Sequence, residues 1–229
     1  MKCAKEIMLL YAVTDRAWTG KESLYTQVEK ALKGGVTCVQ LREKNLDEET
    51  FLQEAMDIKK LCQHYHVPLI INDNVNIAMA CHADGIHVGQ EDMEAGDVRR
   101  LVGEGMILGV SVHTVDEAKR AVACGADYLG VGAVFSTTTK TNVSRMPIET
   151  LQSICNAVDV PVVAIGGMNQ GNIMELAGSG VDGVALVSAI FSAENIEERC
   201  RKLRGTVKEM VKLFDKTRKL SDKSKKFIQ

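Results

Sequence analysis

Gly125-Ala126-Asp127-Tyr128-Leu129-Gly130-Val131-Gly132-Ala133-Val134-Phe135-Ser136-Thr137-Thr138-Thr139-Lys140 holds one full repeating unit of this chain. A turn leaves a helix, a short apolar strand follows, and the strand runs through a glycine into a loop of hydroxyls and a lysine. The turn recurs: Ala83-Asp84-Gly85 and Gly180-Val181-Asp182 also stand between a helix end and a strand. One helix-to-strand connection is therefore used repeatedly. In the loop, hydroxyls, backbone amides and one ammonium can converge on an anion. A solvated Ser/Thr turn has the same composition. What favours the anion is that other strands deliver polar groups to the same kind of place.

Working outward from this unit, apolar runs predict strands at 8–13, 38–42, 69–71, 86–88, 107–110, 128–131, 162–165 and 184–188. Helical spacing, with caps such as Gly34-Gly35 and an opening Pro147, predicts helices at 23–33, 47–65, 75–81, 95–102, 115–124, 147–158 and 172–177, and a last one from 195. The strands are short and almost continuously apolar, as parallel strands covered on both faces are. Eight strand–helix units in 229 residues indicate one α/β domain, a (β/α)8 TIM barrel. An open doubly wound sheet predicts a glycine fingerprint after an early strand, and none is present. The barrel is assigned to 1–207, and 208–229 to a basic helical extension or frayed tail, solvated beyond Ser221.

Composition excludes several functions. A net charge of −2 makes no field for nucleic acid, and aromatics at 4% leave few stacking platforms. No apolar run approaches the roughly 18 residues of a membrane span. Seven dispersed cysteines without a Cys-x-x-Cys pair, and no signal peptide, read as reduced thiols in a cytoplasmic protein. Cys62-Gln63-His64-Tyr65-His66 reads as ordinary polar residues at a helix end, because positions two apart on a helix point to different sides.

In this fold the carboxyl ends of the strands make one rim, where active sites are built. Reading those ends gives three groups. The first is cationic: Arg42, Lys44 and Lys140, with Gln40 as an uncharged donor. Arginine grips phosphate by a planar fork and lysine adds a point charge; the alternative is that Arg42 pairs with Glu43 or a helix carboxylate. The second is acidic: Asp73 and Asp92, on neighbouring units. Each alone is a plausible helix cap. Beside three cations, however, two carboxylates suit a bound magnesium that bridges to phosphate oxygens. The third is Gly166-Gly167 and Val187-Ser188, after strands seven and eight, where barrels often seat a phosphate. Two phosphate-handling regions, one with metal, fit a transfer between phosphorylated small molecules with diphosphate leaving. His87 reads chiefly as a satisfied core histidine, and His113 is a weak acid/base candidate. No Ser-His-Asp order or nucleophile elbow supports a hydrolase.

Taken in order, Tyr11-Ala12-Val13-Thr14-Asp15, Gln40-Leu41-Arg42-Glu43-Lys44, Asn72-Asp73, Ala83 to Asp92, Gly109-Val110-Ser111, Thr137-Thr138-Thr139-Lys140, Ile165-Gly166-Gly167 and Val187-Ser188 resemble the thiamine phosphate synthase family. The resemblance implies a transferase of thiamine biosynthesis that condenses a hydroxymethylpyrimidine diphosphate with a (carboxy)hydroxyethylthiazole phosphate and releases pyrophosphate. It implies pyrimidine-diphosphate contacts at Gln40, Leu41, Arg42, Glu43, Lys44, Asn72, Ser111 and Lys140, and one magnesium on Asp73 and Asp92. It implies thiazole-phosphate contacts at Thr137, Thr139, Gly167, Val187 and Ser188, with Thr138 between two of them. Arg42, Lys44, Lys140 and Ser111 are the residues expected to act on the reaction, in which diphosphate departs before the thiazole nitrogen attacks. Ser136 and Thr138 depart from the proline and glutamate common in relatives. The partners implied are small molecules, with a homo-oligomer open to the chain. A thiazole tautomerase paralogue or a non-catalytic phosphate-binding barrel are the competing readings; the first does not require Asp73 and Asp92 together. The loop 137–144 is the segment expected to close over the site.

Overall fold

The repeated turn explains how the strands are started. In the computed structural model, which describes residues 3–20, 22–136 and 145–226 (side chains to residue 213), helices are stopped by a residue in the left-handed region. Gly125 (φ 90°) is such a stop, and His82 (φ 51°) takes the same place without glycine's freedom. The next residue is apolar and sends its amide back into the helix, as Ala126 does to the Ala121 carbonyl (3.0 Å) and Ala83 to Ala78 (2.9 Å). The third residue ties two strands together. The Asp84, Asp127 and Asp182 carboxylates accept from the amides of Leu69, Leu108 and Val162 at 2.8, 2.9 and 3.0 Å. Thr37 does the same for Leu10 at 2.9 Å. The unit is thus used four times, once for each odd–even strand pair, and Gly35-Val36-Thr37 is a copy the sequence reading did not count. Lys59, Arg99 and Lys5 neutralise the three aspartates at 2.7, 2.6 and 2.7 Å.

These turns connect β1 (Leu10–Val13), α1 (Leu24–Lys33), β2 (Cys38–Leu41), α2 (Glu48–His64), β3 (Leu69–Asn72), α3 (Val75–Ala80), β4 (Gly85–Val88) and α4 (Ala95–Val102). The second half contains β5 (Ile107–Val112), α5 (Val115–Ala123), β6 (Tyr128–Val131), α6 (Ile148–Ala157), β7 (Val162–Ile165), β8 (Gly183–Leu186), α7 (Ser188–Phe191) and α8 (Ile196–Lys226). All neighbouring strands pair in parallel, and β8 returns to β1, closing an eight-stranded barrel. The (β/α)8 expectation is met.

Three local expectations are corrected. Residues 172–177 form only one 3-10 turn, Ile173–Leu176; a segment this short between Gly171 and Gly178 does not nucleate an α-helix. Strand eight stops at Leu186, and Ser188 opens α7, whose four residues are too few to show a periodicity. Helix α8 runs on from 207 as the helical extension expected there, but it also passes Ser221, where fraying was expected, and reaches Lys226, as its lack of proline, and of glycine after Gly205, allows.

Alternation along each strand makes two cores. Tyr11, Cys38, Ile70, Ile107, Tyr128, Val163 and Ala185 fill the barrel interior. Their neighbours Ala12, Val39, Ile71, Leu108, Leu129, Ala164 and Val184 face the helical shell. Interior space is tight beside Tyr128: a Cβ on Gly109 would stand 2.1 Å from the phenol Cζ. Gly109→Ala is therefore expected to cost at least about 1–3 kcal/mol through overpacking. Urea unfolding should show a lower midpoint with an unchanged slope, and a midpoint equal to wild type would refute this account of the glycine.

Candidate active site

The mouth is set first by the end of β2. The Thr14 amide donates to the Gln40 carbonyl (2.9 Å), and the buried Thr14 hydroxyl accepts from the Arg42 amide (2.9 Å). This prolongs pairing with β1 beyond the last strand residue, so the alternation of β2 continues through Lys44. Gln40 turns into the barrel, where its amide nitrogen donates to the Tyr11 phenol (2.8 Å). Leu41 turns outward and is wholly buried against the helices. Arg42 is half-buried, and among the described residues its guanidinium makes no hydrogen bond or ion pair. Glu43 turns outward like Leu41. Its carboxylate is held by Arg16 Nε at 2.9 Å, with the side chain only 3% exposed. Lys44 points back and donates to Asp73 Oδ2 at 2.5 Å.

Of the five residues expected to touch a substrate here, the side chains of Gln40, Arg42 and Lys44 share one side of the chain, and those of Leu41 and Glu43 do not. The predicted alternative of an Arg42–Glu43 pair is replaced by Arg16, which also grips both oxygens of Glu54 on α2 at 2.9 and 2.8 Å. One guanidinium thus serves two carboxylates. Burial, then the Glu43 charge, lifts the Glu54 carboxyl above its ordinary range, against the pull of Arg16. Glu43 Oε1 is buried without a partner among the described residues. Arg16→Ala should strand the Glu43 charge and cost about 1–3 kcal/mol. Adding Glu43→Gln should restore part of that loss in thermal melts, and a double variant as unstable as the sum of the two would count against the pairing.

The acidic pair follows from β3 and β4. Asn72 ends β3, and its amide donates to Asp73 Oδ2 at 2.6 Å. Asp73 sits in the left-handed region (φ 62°), held there by its own amide donating to the His87 carbonyl at 2.8 Å. Asp92 Oδ2 accepts from the Gly89 amide at 2.8 Å, which folds the loop after β4 back upon itself. Burial raises the Asp73 carboxyl above its usual range, Lys44 lowers it, and the Asp92 carboxylate beside it raises it again. Neither aspartate serves as the helix cap that the local sequence permitted. Asn74 caps α3, and the residue before α4 is Glu94. Among the described residues no group of three or more His, Cys, Asp or Glu could hold a metal on its own. A pair of carboxylates, one of them partly desolvated, is the donor set that magnesium takes when waters and phosphate oxygens complete its shell.

Ser111 lies on β5 facing the barrel axis, and its hydroxyl is 2.8 Å from His87 Nε2. His87 is buried with both ring nitrogens within hydrogen-bond distance of partners, as a satisfied core histidine should be. His113, in the turn before α5, instead pairs with Glu117 of that helix at 3.2 Å on the surface. Gln90 donates to the Ser111 carbonyl at 2.7 Å, joining the loop that carries Asp92 to β5.

On the opposite side, β6 and β7 remain zipped past their ends. Val134 and Phe135 donate to the Ile165 and Gly166 carbonyls at 3.0 and 3.1 Å. Gly167 is required here by the chain itself, since a Cβ would lie 2.2 Å from the Ser136 carbonyl. That contact brings the start of the threonine loop against the Gly166-Gly167 turn. Thr137, Thr138, Thr139 and Lys140, and the closing segment expected at 137–144, lie outside the described residues. Val187 precedes α7, and Ser188 is its first residue. Burial pushes the Cys62, Cys155 and Cys200 thiols up to about 12, so none offers a thiolate at neutral pH.

Sequence reading missed Arg16 and Tyr128 as supports of the site, and gave Thr14 only within a family match without a role. The only available signal was position: each stands at or near a strand end, but none belongs to a charge cluster.

Comparison with known proteins places this geometry in context. The sequence pattern of the family described as thiamine monophosphate synthase matches residues 10–190. The thiamine-phosphate synthase of Clostridium tetani is 47% identical over 200 residues, covering 87% of this chain and 96% of the relative. That of Methanobrevibacter smithii is 48% identical over 186 residues, 81% of this chain and 88% of the relative. The solved thiamine phosphate pyrophosphorylase from Pyrococcus furiosus is 35% identical, with a TM-score of 0.84 over 90% of this chain and 98% of that one.

Proposed function

The chain belongs to the thiamine monophosphate synthase family of transferases, and from that premise we propose that it joins 4-amino-2-methyl-5-pyrimidinylmethyl diphosphate to a (carboxy)hydroxyethylthiazole phosphate. The products are thiamine phosphate and pyrophosphate. The observation that carries this reading is Lys44 bonded to Asp73 at 2.5 Å while Asp92 acts on the same carboxylate. Cation and carboxylates together on one rim suit a metal-bound diphosphate, which neither sign of charge alone would hold.

The bond from the pyrimidine methylene to diphosphate oxygen breaks first, and its electron pair leaves with the diphosphate. The thiazole ring nitrogen then supplies the pair for the new carbon–nitrogen bond. Asp73 and Asp92 would hold magnesium, which supplies positive charge to the diphosphate oxygens when bound. Arg42 lays its planar fork on the diphosphate, and Lys44 moves from Asp73 to a phosphate oxygen. Charge building on the leaving group is thereby met by groups already in place, and no protein nucleophile is needed. Ser111 donates from the barrel axis, and Lys140 adds the cation of the threonine loop. Thr137, Thr139, Gly167, Val187 and Ser188 take the thiazole phosphate on the far side. No helix among the described residues is long and apolar enough to cross a membrane, and both substrates are small polar molecules.

The test is pyrophosphate release from the purified protein given both substrates, with magnesium and then with chelator. Release that needs both substrates and the metal, with thiamine phosphate formed in equal amount, supports the synthase. Isomerisation of the thiazole phosphate alone would assign a tautomerase and leave the carboxylate pair without a purpose.

A further inference from the structure

Beneath the mouth a chain of side-chain hydrogen bonds crosses the barrel interior. Gln40 Nε2 donates to Tyr11 Oη (2.8 Å), Tyr11 Oη meets Tyr128 Oη (2.8 Å), and Tyr128 Oη meets His87 Nδ1 (2.9 Å). His87 Nε2 then meets Ser111 Oγ at 2.8 Å. Five strands contribute one member each, and the two ends are the residues expected at the substrate. Tyr11 and Tyr128 are 1% and 0% exposed, so bulk solvent does not reach their hydroxyls. The interior is cut to fit them. A Cβ on Gly109 would strike the Tyr128 ring at 2.1 Å, and one on Gly130 would press on His87 Cε1 at 3.1 Å.

Proton counting gives this chain a direction. Burial holds both phenols well above their ordinary range, so each keeps its single proton. Tyr11 accepts from Gln40 and passes its own proton to Tyr128. The neighbouring Cys38 thiol is itself kept protonated by burial and is too weak an acceptor to divert it. With a neutral imidazole Tyr128 donates to His87 Nδ1, and the ring then carries its hydrogen on Nε2 and donates to Ser111. The Ser111 proton is left to point into the mouth. Resting on the reading above, we propose that Tyr11, Tyr128 and His87 are positioning residues that orient the Ser111 hydroxyl as a donor to the diphosphate and turn the Gln40 carbonyl toward the donor edge of the pyrimidine. One network thus reads both ends of a single substrate. With the opposite polarity Ser111 would give its proton to His87 and present lone pairs to an anion, while Gln40 would offer N–H groups to an amino group.

Two measurements test this. Nitrogen-15 NMR of His87 in the free protein should show a pyridine-type Nδ1 and a pyrrole-type Nε2. A protonated Nδ1 with a bare Nε2 would overturn the proposal whether or not the protein makes thiamine phosphate. In the synthase assay, Tyr128→Phe removes one oxygen and should lower kcat by roughly ten- to a hundredfold, the scale of outer-shell partners. In a Ser111→Ala background the same change should cost less than about twofold, because its effect runs through Ser111. Losses that multiply independently would overturn the relay while leaving the synthase reading intact. If Tyr128→Phe unfolds, Tyr11→Phe, which acts on Gln40 directly, is put through the corresponding cycle in a Gln40→Ala background with the same two expectations. A wild-type protein without synthase activity would sink the functional reading, and the His87 tautomer would still decide the polarity.

Discussion

Asp73→Asn is expected to lower magnesium-dependent turnover by about a hundred- to a thousandfold, the scale of one preorganised electrostatic group, without lowering the melting temperature. The carboxylate is poorly placed for stability. It is desolvated, set beside Asp92, and relieved among the described residues by Lys44 and Asn72. Its proton affinity is raised in the folded chain, so whatever stability it contributes is full at low pH. That contribution is lost as pH rises through the raised value. At neutral pH the charge is a cost, and the isosteric amide removes it. Asparagine also tolerates the left-handed backbone at this position (φ 62°), so the turn survives. Turnover against magnesium concentration, with a thermal melt of each protein, checks both halves. A variant with wild-type rates, or one that has become inactive by unfolding, would remove the metal assignment from Asp73.

Arg42→Ala is expected to reduce kcat/KM by about a hundredfold through loss of one charge-assisted fork. The fold is expected to be unchanged. Among the described residues the guanidinium bonds to nothing, while the backbone of Arg42 is pinned independently by the Thr14 hydroxyl at 2.9 Å. Truncation thus removes a group held for a ligand, and no internal bond is left unmade. Arg42→Lys keeps the charge but loses the planar geometry, and should recover only part of the activity. The measurement is steady-state kinetics varying the pyrimidine diphosphate at saturating thiazole phosphate. A loss below about threefold, against the hundredfold expected of such a donor, would place Arg42 outside the reaction.

Much of this site is readable as a sequence because its residues sit at strand ends, and strand ends in a parallel barrel share one rim. Asp73, Asp92, Arg42 and Lys44 were legible for that reason. Leu41 and Glu43 were not separable from their neighbours, because one residue of alternation decides which side of the chain faces the mouth. Glu43 was given away only by Arg16, 27 residues earlier, whose Nε reaches it at 2.9 Å. The same distance in sequence hid the polar chain under the mouth. Tyr11 and Tyr128 are 117 residues apart and read, one at a time, as ordinary aromatic strand residues.

By itself the sequence determined the eight-fold alternation, the recurring turn and the family pattern, because all three are local regularities of a chain. It did not show that the turn's third residue bonds to the preceding strand, or that residues 173–176 form a single 3-10 turn. Tertiary structure alone decided the direction of each side chain at the rim. It paired Lys44 with Asp73, sent Glu43 to Arg16, and aligned five interior groups into one directional chain. The physical reason is closure. Only when β8 pairs with β1 do residues from opposite ends of the sequence face one another across a dry interior, where every hydrogen bond must be answered by another.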